Sequence, residues 1–172
     1  SDCGWKCRMM TKQEQQSRQP SMIIRGTGSY LPEKVLTNED IASRVETNSD
    51  WILQRTGIQS RHIAADNETT ADMATRAAES AIQDAGLQPE DIDAVIVATT
   101  TPDLTFPSTA VQVQARLGMR DGFAFDVQAV CSGFLYALNT ADCYIKARQA
   151  KNILVIGAEK MSSIVDWEDR RT

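Results

Sequence analysis

Cys131 follows the apolar run Phe123 to Val127 after only three intervening residues, and it opens the stretch Cys131-Ser132-Gly133-Phe134, which reads as the start of a long helix extending to Arg148. At a helix start the first backbone N–H groups have no intrahelical partner, and together with the helix dipole they favour an anion such as a thiolate. A cysteine so placed can act as a nucleophile. Ser132 and Gly133 are small and leave room for a substrate. A strand, a nucleophile and a helix in succession also share the logic of the elbow that exposes the serine of α/β-hydrolases, although the motif differs. The same local pattern fits a buried structural thiol, the commoner role of a lone cysteine.

A second group lies upstream. Trp51 and Arg55 are four residues apart in "DWILQRTGI" and share one helix face. A Trp ring can stack on a purine and an Arg can take a phosphate through two N–H groups. The competing reading is a cation-π pair in which Arg55 lies across Trp51. His62, the single histidine, falls in the strand-like "QSRHIAA" and reads as a satisfied structural residue rather than a partner for Cys131. Cys143 falls in mid-helix, where a buried thiol behaves as a small hydrophobe. Cys3 and Cys7 lie in a polar, Gln-rich leader, and their spacing without a second Cys/His pair is weak evidence for a metal site.

The elements that must position these residues belong to a chain of 172 residues, 42% hydrophobic, with a net charge of -5. That size supports one good core. The negative balance argues against nucleic acid, because it leaves no Lys/Arg stripe to neutralise a row of phosphates. The longest apolar runs are too short to span a bilayer and no signal-peptide pattern precedes them, so the expectation is a cytoplasmic protein. Residues 1–21 read as a leader that is disordered or partly non-native, and residues 22–172 as the folded unit.

Within that unit, Met22 to Gly28 reads as a first strand, and Thr37-x-x-Asp40 as a helix cap. Asn48 to Thr56 reads as a short helix stopped by Gly57. From Thr70 to Ala85, alanines and Ile82 recur at helical spacing and present a small-residue face suited to a sheet. The runs 93–100 and 151–159 are continuous and β-branched, as in parallel strands buried on both faces. Pro107 to Leu117 reads as a further helix ended by Gly118. Strands alternating with helices predict an α/β layered domain.

Taken together, "GTGSYLPE", "DWILQRTGI", "RHIA", "VATTTPD", "FPSTA", "AFDVQAVCSGF", "ILVIGAE" and "DRRT" resemble the amino-terminal half of β-ketoacyl-acyl carrier protein synthase III, almost without interruption from Ile23 to Thr172. The resemblance implies a thiolase-like layered fold in which this chain is one of two similar α/β halves, working as a homodimer. It implies that Cys131 is acylated by acyl-coenzyme A, that Trp51, Arg55 and Arg170 hold the adenine end of coenzyme A, and that Thr47 lies at the same entrance. Phe106 matches a residue that walls off the partner's acyl pocket across the dimer. No metal and no cofactor beyond the coenzyme A thioester substrate are implied.

The second substrate implied is malonyl-acyl carrier protein, whose decarboxylation leaves an enolate. The family stabilises that enolate with a His and an Asn from its carboxy-terminal half. His62, Asn38, Asn48, Asn67, Asn139 and Asn152 match neither position, so the resemblance implies a carboxy-terminal half beyond this sequence. Related readings are hydroxymethylglutaryl-coenzyme A synthase, a secondary-metabolite condensing enzyme, and a non-catalytic half that keeps only the fold and dimer contacts.

Overall fold

The computed structural model describes residues 22–169. Its centre is a three-stranded parallel sheet in the order β4-β3-β5, formed by β3 (Ala94–Ala98), β4 (Phe123–Val127) and β5 (Ile153–Gly157). Every residue of β3 is buried, as its unbroken apolar sequence requires of a strand covered on both faces. Alternate residues divide between two cores. Val95 and Val97 face α3 (Thr70–Asp84) and α4 (Thr109–Arg116), through Ala74, Ala78, Ala110 and Val113. Ile96 and Ala98 face α5 (Gly133–Lys146), through Ala137 and Ala141. Phe123 and Phe125 of β4 add an aromatic contact to Tyr144 of α5, with ring centroids 4.7 and 6.2 Å away.

A smaller antiparallel pair, β1 (Lys34–Thr37) with β2 (Ser60–Ile63), brackets two short helices, α1 (Asn38–Ala42) and α2 (Ser49–Thr56). The expected Thr37–Asp40 cap is present as a reciprocal capping box at α1. Asn48 caps α2, and Gly57 ends it in the left-handed conformation, with φ 71°. Buried Asn38 ties the unit together by donating to the Ile58 carbonyl at 2.8 Å and accepting from Arg61 at 2.9 Å.

Three expectations need correction. Met22 to Gly28 is not a strand: it pairs with nothing, and the first strand is Lys34–Thr37. The segment instead lies against α3, where Gly26 and Gly28 approach so closely that an added Cβ would meet backbone oxygens of Ala81 and Ala77 at 2.6 and 2.3 Å. A cleft of about 550 Å³, reaching from Ala81 of α3 to Leu138 of α5, is lined by this segment on one side and by β5 on the other. Second, Cys143 is exposed rather than buried, because the buried positions of α5 are Gly133, Ala137 and Ala141. Third, Pro107 precedes its helix rather than opening it: Ser108 is the cap and α4 begins at Thr109.

The start of α3 yields a stability prediction. Thr69 and Asp72 form a capping box, with Asp72 Oδ2 accepting from the Thr69 N–H at 2.9 Å and from its hydroxyl at 2.7 Å. The Thr69 hydroxyl and N–H hold the Asp72 carboxyl below its ordinary pKa, while burial opposes them. A depressed folded-state pKa gives stability that is present above the unfolded value of about 3.9 and lost as pH falls through the folded one. Thr69→Ala should therefore cost about 1 kcal/mol at neutral pH, and the difference from the parent should shrink on acidification, read by urea unfolding at several pH values. An unchanged difference down to the most acidic pH tested would remove Asp72 from the account.

Candidate active site

The ends of the parallel strands are fixed by carboxylates that bridge elements distant in sequence. Asp126 of β4 accepts from the N–H groups of Thr109 and Ala110 at 2.9 and 2.8 Å. Asp103 does the same for Thr70 and Ala71, at 2.8 and 2.9 Å. Each carboxylate sits at a helix N-terminus, where it satisfies orphan donors and complements the dipole. Glu159, beyond β5, accepts from the Thr100 N–H at 2.9 Å and from the hydroxyls of Thr100 and Thr101 at 3.0 and 2.5 Å. The motifs "VATTTPD", "FPSTA", "AFDVQ" and "ILVIGAE" are thus mutual braces. Sequence reasoning missed these roles; the available signal was an acidic residue inside or just after an apolar strand.

Cys131 emerges from this braced frame between β4 and α5. It is exposed, as the nucleophilic reading requires. Its local structure differs from the expected plain helix start: Val130–Ser132 forms a single 3-10 turn, and the α-helix begins at Gly133. The Ser132 N–H donates to the Ala129 carbonyl at 3.1 Å and the Gly133 N–H to that of Val130, so neither bond of the turn uses the Cys131 N–H. Gly133 is not open room for a substrate. It is buried against the end of β3, and a Cβ there would stand 3.3 Å from that of Ala98. Glycine lets the helix start seat closely on the sheet.

Trp51 and Arg55 come together on α2, with the guanidinium carbon 5.5 Å from the ring centroid. Trp51 is 44% exposed. It lines a cavity of about 700 Å³ together with Thr47, Tyr30, Met73, Lys160 and Trp167. Lys160 closes one side by donating to the carbonyls of Glu68 and Ala65 at 2.7 and 3.2 Å. The Thr47 hydroxyl is buried and has no hydrogen-bond partner among the described residues. His62 lines the same cavity, and its Nδ1 lies 2.5 Å from the Pro32 carbonyl.

Cys131, Arg55 and Phe106 do not line this cavity. Phe106 is 82% exposed, on the loop before α4. Arg170 lies outside the described residues, as do Cys3, Cys7 and the leader. Among the described residues, no three His, Cys, Asp or Glu side chains gather as a metal site, and no helix is long and apolar enough to cross a membrane.

Comparison with known proteins bears on the whole arrangement. The family described as 3-oxoacyl-[acyl-carrier-protein] synthase III matches residues 125–172. The β-ketoacyl-[acyl-carrier-protein] synthase III of Ehrlichia canis is 59% identical over 150 residues, which is 87% of this chain and 47% of that protein. This chain is related to β-ketoacyl-[acyl-carrier-protein] synthase III. The crystal structure of the synthase III from Aquifex aeolicus superposes with a TM-score of 0.83 at 56% identity, covering 87% of this chain and 48% of the other. The priming β-ketosynthase of a polyketide pathway is similar with a TM-score of 0.82 at 34% identity, over 86% of this chain and 44% of its own. The fold is accordingly the thiolase-type α/β fold of these condensing enzymes. The chain spans about half the length of the curated relatives it matches.

Proposed function

We propose that the protein containing this chain is an acyltransferase that starts fatty acid synthesis, with Cys131 as its nucleophile. The observation that carries the reading is an exposed cysteine on the turn between β4 and α5, in a chain 59% identical to a β-ketoacyl-[acyl-carrier-protein] synthase III. The Cys131 thiolate attacks the carbonyl carbon of an acyl-coenzyme A, acetyl in the first instance. The tetrahedral adduct collapses with cleavage of the bond to the coenzyme A sulfur, which leaves as the thiol after taking up a proton. The Cys131 N–H serves as one donor to the developing oxyanion. Malonyl-acyl carrier protein then loses CO2, and its enolate carbon attacks the acyl-Cys131 thioester. The products are a 3-ketoacyl-acyl carrier protein and free Cys131.

The enolate needs donors placed where its oxygen gains charge, and a cysteine cannot supply them. The carboxy-terminal half, carrying the family His and Asn, fills that role in this reading. The working form is a cytoplasmic homodimer in which Phe106 reaches the partner's acyl pocket.

Trp51, Arg55 and Arg170 hold the adenine end of coenzyme A, with Thr47 at the entrance. Two observations support this: Trp51 lines the 700 Å³ cavity, and the Arg55 guanidinium lies against its ring, a place that a purine can take. Stacking of a base on an aromatic side chain is worth about 1–3 kcal/mol. Trp51→Ala should therefore weaken acyl-coenzyme A binding by roughly tenfold to a hundredfold, and Arg55→Ala should weaken it as well, with the fold intact in both. Calorimetric titration with acetyl-coenzyme A checks this; a Trp51→Ala variant that loses its fold but binds normally after refolding would defeat the clamp.

The polyketide priming enzyme supports a second reading, a condensing enzyme of secondary metabolism, at lower identity. Intact-mass measurement after incubation with acetyl-coenzyme A, followed by malonyl-acyl carrier protein, tests the first. One acetyl group on Cys131 and conversion to acetoacetyl-acyl carrier protein are expected. Acylation without condensation onto the carrier protein would favour the second, and no acylation would leave a non-catalytic half.

A further inference from the structure

Two residues other than glycine adopt positive φ among the described residues, Val130 at 48° and Arg148 at 56°. Arg148 has an ordinary reason. It follows the last turn of α5, its N–H donates to the Ile145 carbonyl and the next N–H, of Gln149, donates to that of Tyr144, both at 3.0 Å. That is the left-handed ending by which many helices satisfy their last carbonyls.

Val130 ends no helix. A β-branched residue is among the least tolerant of this region, and the conformation costs free energy that the surrounding structure must offset. Packing of its own side chain contributes little, since Val130 is 70% exposed. The backbone is held from both sides. Ser132 donates back to Ala129 at 3.1 Å, and the helix start is wedged by Gly133 against Ala98. The Gly133 N–H closes the turn on the Val130 carbonyl, so Cys131 is one of the two residues that bond spans. Reversing φ at 130 would swing the Cys131 peptide and side chain away from where this turn presents them.

We propose that Val130 is a positioning residue for Cys131: its strained left-handed backbone, braced by the turn and by Gly133, fixes the direction in which the thiol and the N–H of Cys131 face an incoming thioester. The inference rests on Cys131 being the nucleophile. It places a stability cost at the residue next to the chemistry, a trade of stability for preorganisation.

The test uses the complete protein with Val130→Gly and Val130→Asn. Glycine removes the strain but frees the backbone to leave the left-handed region, whereas asparagine tolerates that region and stays more confined. Both variants should melt at higher temperature than the parent. Val130→Gly should transfer acetyl from acetyl-coenzyme A to Cys131 about tenfold more slowly, and Val130→Asn should restore the rate. Alkylation of Cys131 relative to exposed Cys143 in the same molecule, followed across pH, should show the same order without needing coenzyme A. Arg148→Gly is the control: it should raise stability and leave both readouts unchanged.

A lower melting temperature in both Val130 variants would overturn the strain, and an unchanged transfer rate and alkylation ratio in Val130→Gly would overturn the positioning role. Equal loss in Gly and Asn would assign the effect to the isopropyl group and overturn the backbone argument. Failure of the parent to acylate would instead strike the proposed function, and the alkylation ratio would still decide the role of Val130.

Discussion

Cys131→Ala in the complete protein should abolish the acyl-enzyme, lowering turnover by ~10⁴-fold or more, while Cys143→Ala should acylate and condense like the parent. Both thiols are exposed, so accessibility alone does not separate them. Position does. Cys143 lies on the third turn of a regular helix, whereas Cys131 occupies a 3-10 turn whose two backbone bonds bypass its own N–H. A two-step transfer cannot proceed through an intermediate that no longer forms, so the loss should fall on turnover. Binding of coenzyme A should persist, because Thr47 and Trp51 line a cavity that Cys131 does not. Peptide-level mass spectrometry after incubation with acetyl-coenzyme A reads the result. Acetyl groups on Cys143, or equal acylation of the Cys131→Ala variant, would return Cys131 to a structural role.

The parts of this site that sequence makes legible are those written locally. The β3 run is readable because burial on both faces leaves no polar position to interrupt it, and the Thr37–Asp40 box because its partners are three residues apart. Trp51 and Arg55 are readable as a pair for the same reason, four apart on one helix. Cys131 is flagged by its place after a strand and before a helix.

What escaped the sequence depends on distant partners. Met22 to Gly28 has strand-like composition, but a strand needs a neighbouring edge, and composition does not say that this segment and β5 line opposite sides of a cleft. Periodicity does not place Cys143, because α5 is apolar around much of its circumference and so does not mark its buried face. The braces of Asp126, Asp103 and Glu159 join residues 16 to 59 positions apart, beyond any local pattern. The backbone of Val130 leaves no trace at all, since valine ordinarily avoids that conformation.

Residues 22–172 expressed alone should fail to condense malonyl-acyl carrier protein and should aggregate. The deficit does not lie on the faces of the parallel sheet, whose strands need apolar cover on both sides. α3 and α4 cover one face and α5 the other, so the sheet faces are served. The exposed places are the outer edge of β5, with its apolar cleft of about 550 Å³, and the large side chains Leu104, Phe106, Val130, Leu135 and Tyr136. An unpaired edge beside apolar surface is a template for association with other chains. Condensation should fail independently, because no donor pair for the enolate accompanies Cys131 in this reading. Supplying the carboxy-terminal half as a second chain should recover soluble protein and condensation together if that half covers these surfaces. Light scattering and a carrier-protein condensation assay on the single chain and on the pair measure the two effects. A soluble, monomeric fragment that condenses unaided would show that both the cover for β5 and the decarboxylation machinery lie within residues 22–172.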